Sequence, residues 1–403
     1  MSTATPSTLH SGPRAALGFA TYLGTSWTWV IGMLFPALVL RDYGLWGFVA
    51  FAVPNVVGAA AMGFVLTPER ARSILEKHRT ACAWFSMVTM AFHLFVVAWL
   101  LPALLGHWSV GIVVLTVGAC LIAKKFWGVK GMWLASALVW GLSMAMFAKG
   151  TQTPGAWTGA TWEIGRLGKP GLWAFIPASA LGFALCPYLD LTFLKARAET
   201  EKNTGRWAFG LGFGVVFFAM IFFTVQYAHT LPLFEWKPYQ VFVAAPWRGI
   251  LMAHLPVQIG LTLAWHNLEL AAPGVRNGKI SLLAGIFCII ALLLGIMPCI
   301  DGCDGGSVPG EAAYRFFLLL YGTALPAYVL LKMIPTRAPV RERFKTWVFA
   351  LAALLSYPLA WGVFVLNHPW LILPCAGVLA VAFLAVQFGP KAAAEAPTPK
   401  PEA

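Results

Sequence analysis

Polar side chains at helical spacing within an apolar stretch are the first candidates for chemistry. Residues 243–268 carry His254, Gln258 and Thr262 four apart, which puts them on one helix face. His266, Asn267 and Glu269 extend the polar run. In lipid such a stripe must face a bundle interior or a watered path. It reads equally as part of a solute or ion route or as hydrogen bonding between helices. An imidazole titrates near neutral pH, so His254 is also a candidate to carry a coupling proton. His93 reads as a lone core histidine. Asp190 reads either as a gating or proton-coupling carboxylate or as half of an ion pair with nearby Lys195 and Arg197, the second being the simpler account.

Two other stretches carry interruptions. Residues 15–40 contain Gly24-Thr25-Ser26 and then Pro36, with Trp27 and Trp29 flanking the expected break. Residues 171–194 contain Pro177, Ser179, Gly182 beside Phe183, and Pro187. Gly and Pro free backbone groups that only protein or a water-lined cavity can satisfy in a membrane. Thr25, Ser26, Ser179, Gly182, His254 and Gln258 are thus candidate solute-binding residues. The rings of Trp27, Trp29 and Phe183 can stack on a sugar ring or a cation, although simple packing explains each ring on its own. If helices one to five and six to ten are repeats, an odd repeat length inserts the second half upside down. Matching broken helices then mark a transporter's binding site. The alternative is that Gly and Pro are common in membrane helices anyway.

The elements that must hold these residues follow from composition. Of 403 residues, 59% are hydrophobic and 11% charged, against about 25% charged in a soluble domain. The apolar runs are continuous and about 20 residues long, as a spanning helix requires; barrel strands would alternate with period two. The pattern predicts an all-α polytopic membrane protein with helices over 15–40, 45–66, 81–105, 109–123, 131–148, 171–194, 207–231, 243–268, 280–300, 312–333, 346–366 and 369–388. Gly210 and Gly214 form a GxxxG expected to pack closely against a neighbour.

The net charge of +13 does not point to nucleic acid. Most Lys and Arg residues cluster in alternate loops: Arg70–Arg79, Lys124–Lys130, Lys195–Arg206, Arg276–Lys279 and Lys332–Lys345. That is a positive-inside pattern, and it predicts both termini on the cytoplasmic side of the cell (inner) membrane. Met1–Arg14 lacks a signal-peptide n-region, so the first apolar run is expected to remain as a mature helix. The tail over 391–403 is Ala/Pro/Lys/Glu-rich and expected to be disordered. Of seven cysteines, Cys82, Cys120, Cys186, Cys288 and Cys375 read as core residues. Cys299 and Cys303 sit near the outer surface, either as a disulfide or as two thiols. Asp301 and Asp304 beside them read first as a solvated loop and only second as a cation site.

On these residues the chain resembles the sodium/solute symporter family, with a LeuT-like five-plus-five core, as a divergent member. The clearest likeness is over 171–205, through Cys186-Pro187-Tyr188 and Leu194-Lys195-Ala196-Arg197 to Gly205. Gly12-Pro13 with Thr25-Ser26 and Gly32 is a second, and Pro246-Trp247 through Gly249-Ile250-Leu251 to Thr262 a third. The resemblance implies a first repeat over 15–160, a second over 171–333 and two further helices over 346–388. It also implies Na+ held between helices one and eight by carbonyls near Tyr22, Thr25 and Gln258 and by the Thr262 hydroxyl. The family's second hydroxyl is Leu261 here, and the usual Gln-Arg pair of the cytoplasmic link reads Leu191-Thr192. A hard cation wants several oxygens, so the missing hydroxyl at Leu261 bears directly on sodium.

The sequence therefore predicts a secondary transporter moving a small polar organic solute by alternating access, coupled to Na+ or alternatively to H+. Its expected partners are the solute, the coupling ion and the bilayer. No catalytic residue and no other cofactor are expected, and no P-loop motif is present. The rivals are a non-transporting sensor or scaffold on the same fold, and a membrane enzyme built on His266 and Glu269.

Overall fold

The computed structural model describes residues 9–161, 163, 165–231, 245–272, 275, 278–300 and 308–390. Cys303, Asp301, Asp304, the side chain of Cys299, residues 1–8 and the tail 391–403 lie outside the described residues. Among the described residues the regular structure is helical; the β-pairing there is one isolated bridge, His10 to Thr200.

The first half comprises α1 (Gly12–Trp27), α2 (Val30–Tyr43), α3 (Leu45–Val65), α4 (Pro68–Trp99), α5 (Leu101–Leu105) and α6 (Trp108–Thr151). The second comprises α7 (Gly168–Leu185), α8 (Leu191–Glu199), α9 (Lys202–Leu211), α10 (Phe218–Tyr227), α11 (Ala245–Leu270), α12 (Gly278–Ile300), α13 (Val308–Leu319) and α14 (Leu325–Tyr328). Then come α15 (Glu342–Phe364) and α16 (Ile372–Gln387). Among the described residues nine helices are long and apolar enough to cross a membrane, ten if the bent pair α1–α2 is one span.

Two further crossings follow from packing. At 44 residues, α6 would be about 66 Å long as one rod, twice the hydrocarbon thickness. It is a hairpin instead. Gly128 has φ +57° and ψ −135°, which a residue with a Cβ resists. The arms return so closely that a Cβ on Gly131 would lie 2.1 Å from the Ala123 carbonyl oxygen. Both arms pack along α11. Arg248 reaches the Leu105 carbonyl at one end of it, Gly260 packs on Thr116, and the returning arm pairs Ser136 with Trp265 and Ser143 with His254. The 26-residue α11 is itself long enough to span, its polar stripe lowering its hydropathy. The twelve expected helices are thus all present, and the chain is an all-α polytopic membrane protein. Helix three differs from expectation in one respect: its helical path begins at Pro68 and bends at His78.

The two broken helices run antiparallel, end against end. At the face where α1 starts, His10 N–H donates to the Glu199 carbonyl at 2.8 Å and Glu201 N–H donates back to His10 at 3.0 Å. We call this the near face. At the far face, where α2 ends, Arg166 N–H donates to the Arg41 carbonyl at 3.0 Å and Leu167 N–H to Asp42 at 2.9 Å, just before α7 begins. The first helix of each pair runs 16 and 18 residues, respectively, before its interruption.

Candidate functional site

The first interruption lies at Thr28 and Trp29, where α1 and α2 meet at 56°. Its cause is local. Thr25 Oγ1 donates to Thr21, Ser26 Oγ to Leu23 and Thr28 Oγ1 to Gly24, all carbonyls of their own helix, and such back-bonding competes with the helical ladder. The break therefore falls between Trp27 and Trp29, just beyond Gly24. Gly24 itself serves packing. A Cβ there would lie 2.5 Å from the Gly212 carbonyl oxygen, so the glycine lets α1 lie against the segment joining α9 to α10. The close glycine contact in that region is Gly24–Gly212. The expected pair does not make it: a Cβ on Gly210 would meet only Phe64, at 3.8 Å, and one on Gly214 nothing.

Of the four residues expected to interrupt the second stretch, Pro187 marks the break, and Pro177, Ser179 and Gly182 do not. The helix runs through those three to Leu185, then tightens into a 3-10 turn, Cys186–Leu189. Pro187 removes the donor for the next turn, and Asp190 (ψ 118°) is extended and restarts the chain as the N-cap of α8. Asp190 Oδ1 accepts from the Thr192 N–H at 2.7 Å and from its hydroxyl. Asp190 is fully buried, and Oδ2 has no partner. The expected ion pair is absent because the neighbouring cations are engaged elsewhere. Lys195 bonds Glu269 at 3.2 Å, and Arg197 donates to the carbonyls of Leu66 and Thr200.

The two breaks meet at the centre, with the Trp27 and Phe193 rings 4.9 Å apart. There a cavity of about 10 Å³ is lined by Trp27, Trp29, Ile31, Gly32, Asn55, Phe183, Cys186 and Tyr321, room for about one water. Trp27 Nε1 donates to Asn55 Oδ1 at 2.6 Å, and Tyr321 OH lies 2.8 Å from Thr89 Oγ1. Asn55 and Tyr321 were missed by sequence reasoning. The available signal was Asn55 itself, the one amide in an otherwise apolar α3, directly after Pro54.

The other expected residues are distributed around this centre. Ser179 and Gly182 line a second cavity, of about 60 Å³, toward the far face. Ser179 donates to the Ala50 carbonyl at 2.9 Å, the group that Pro54 leaves without a helical donor. Gly182 lets α7 approach the Tyr321 carbonyl, 2.9 Å from where a Cβ would be. His254 is buried among Ser143, Phe223 and Tyr227, away from the central rings. His266 is closer: its ring packs edge-on to Trp29 at 5.6 Å, with Ser86 on Nδ1 and no partner on Nε2. The polar stripe on α11 thus faces the bundle interior, and most of its members bond to neighbouring helices.

Backbone groups freed around the break are met by side chains. Gln258 Nε2 donates to the Thr25 and Thr28 carbonyls at 2.6 and 3.0 Å. Val30 N–H donates to His93 Nε2 at 3.4 Å, and Tyr314 OH to the Val30 carbonyl at 3.0 Å. Thr224 Oγ1 donates at 2.9 Å to the Gly32 carbonyl, orphaned by Pro36.

From the centre, one cavity lies toward each face. At the far face five charges that the sequence did not connect come together. Asp42, fully buried, meets Arg41, Arg166 and Arg315, while Glu311 meets Arg41 and Arg315. This ties the end of α2 and the start of α7 to α13. Toward the near face a cavity of about 240 Å³ is lined by His10, Tyr22, Lys124, Thr192, Lys195, Glu199 and Glu269 among others.

No protein-family profile matches the chain, and no curated protein does. Among solved structures it is similar to a Na+-coupled sialic acid symporter in a substrate-bound, outward-open state. Identity is 13% and the TM-score 0.50, over 95% of this chain and 92% of that one. The two share a fold.

Proposed function

We propose that this chain, which has the fold of a Na+-coupled symporter, is a secondary transporter that moves a small polar organic solute by alternating access. The observation that carries this reading is the 56° break in the α1–α2 pair, beside the interrupted α7–α8 pair, around a ring-lined cavity with a further cavity toward each face. The antiparallel, end-to-end course of the pairs supports two inverted halves, residues 15–160 and 171–333, with 346–388 added outside them. With the termini cytoplasmic in the cell membrane, the far face is extracellular and the charge cluster is its gate.

Solute enters when that cluster parts, lodges between Trp27, Trp29, Phe183 and Tyr321 with Asn55 as polar contact, and leaves through the near-face cavity. The central space holds about one water, so binding must separate the rings. Their faces suit a sugar ring, and the sialic acid carried by the structural neighbour belongs in the first panel with neutral sugars. An ion gradient supplies the energy, Na+ being the first ion to test and H+ the second, with Asp190 as the carboxylate to examine for protons.

The test is uptake of labelled solutes into proteoliposomes. A transported solute whose uptake falls at least about tenfold in Asn55→Ala, equivalent to about 1.4 kcal/mol, is the expected result. Saturable binding with no flux would replace transport with sensing. His266 and Glu269, the two residues on which the enzyme alternative was built, do not pair: Glu269 bonds Lys195, while His266 faces Ser86 and Trp29.

A further inference from the structure

The Na+ position implied by the family resemblance can be tested against the atoms present. Three oxygens converge between α1 and α11: the carbonyls of Thr25 and Thr28 and the hydroxyl of Thr262. At their focus is the amide nitrogen of Gln258, at 2.6, 3.0 and 3.4 Å respectively. Carbonyls at the end of an α-helix carry the negative end of its dipole, so the position favours positive charge. An NH2 group brings two N–H donors, one for each carbonyl, which is the electrostatic service a cation would give. The remaining oxygens expected for an ion are already used. The Tyr22 carbonyl lies within the hydrogen-bonded run of α1, and Gln258's main-chain carbonyl accepts from Thr262 Oγ1 at 3.2 Å. Leu261, fully buried beside Thr262, offers no oxygen. A bound Na+ would have to displace a buried amide from two carbonyls; even with Gln258 Oε1, which is buried without a hydrogen-bond partner, added to the oxygens of Thr25, Thr28 and Thr262, it would find fewer than the roughly six oxygens a hard cation takes.

We infer that the side-chain amide of Gln258 takes the place of Na+ between α1 and α11, making this position a fixed hydrogen-bonded strut that does not bind or release sodium. This deepens the transporter reading by removing Na+ at that position as its driving ion, but the strut itself is independent of whether a solute moves.

The experiment is thermal unfolding of the purified full chain in NaCl and in choline chloride at equal ionic strength. The wild type is expected to melt at the same temperature in both. Gln258→Glu keeps the shape but turns an oxygen toward the carbonyls. It is expected to melt at least about 3 °C lower in choline chloride and to regain most of that loss in NaCl, because a cation can then bridge the oxygens. A sodium-dependent rise in the wild type that Thr262→Val abolishes would overturn the inference; a rise that Thr262→Val leaves intact comes from elsewhere and agrees with it. Gln258→Glu melting like the wild type, or without recovery in NaCl, would also overturn it. If Gln258→Glu does not fold, the wild type and Thr262→Val still decide. Uptake assays are read separately: their failure bears on transport, not on the strut.

Discussion

Pro36 and Pro54 each orphan one carbonyl, on Gly32 and Ala50, and each time a hydroxyl from another helix covers it, Thr224 and Ser179 respectively. A buried carbonyl without a partner costs about 1–3 kcal/mol. Thr224→Val is therefore expected to lower the melting temperature, whereas Thr224→Val with Pro36→Ala should lose less, since alanine restores the N–H that Gly32 lacks. Unfolding of the wild type, both single variants and the double variant measures this coupling; strict additivity would show that the hydroxyl does not serve the proline. The same reading assigns Ser179 to α3, not to a solute, so Ser179→Ala should cost stability while leaving solute affinity within about twofold, about 0.4 kcal/mol.

At the scale of elements, glycines decide where helices touch and turn. Gly24→Val would drive its side chain into the Gly212 carbonyl and Val216, and is expected to cost more than the 1–3 kcal/mol typical of overpacking, read as lost folded yield or a lower melting point. Gly128→Ala should weaken the α6 hairpin, because its φ of +57° with ψ of −135° suits glycine alone; an unchanged melting temperature would refute the strained turn. The helices themselves were legible because a continuous apolar run has one solution in lipid. The first break was nearly legible too: Trp27 and Trp29 flank it, and its Thr/Ser residues bend the chain by bonding backward. The second was only half legible, because Pro177 looks as disruptive as Pro187 in sequence. What separates them is the extended Asp190 cap, where a carboxylate first read as an ion-pair partner instead serves backbone and hydroxyl donors. The centre was half legible. Trp27, Trp29 and Phe183 announce themselves by type, but Tyr321 reaches it from the distant segment joining α13 to α14, and only folding brings it there.

At the scale of the whole molecule, the cluster proposed as the far-face gate joins charges drawn from segments distant in sequence. Singly, Arg41, Asp42, Arg166, Glu311 and Arg315 look like ordinary helix-end residues, which is why their union could not be foreseen. Asp42→Asn removes the anion on which three guanidinium groups converge. It is expected to favour the open mouth, raising the labelling rate of a cysteine placed at Ser179 by at least about fivefold, the equivalent of about 1 kcal/mol. A membrane-impermeant thiol reagent added from the far side reads this; an unchanged rate would show that the cluster does not gate the path.

The link between Gln258 and the end of α1 has a kinetic meaning as well. A dissolved ion that clasps two helices departs into a reservoir, and the concentration there sets how soon another arrives. An amide on its own side chain never departs. On the proposal made above, any parting of α1 from α11 at this strut would be a first-order event of the protein itself, with no term for sodium arriving at or leaving this position.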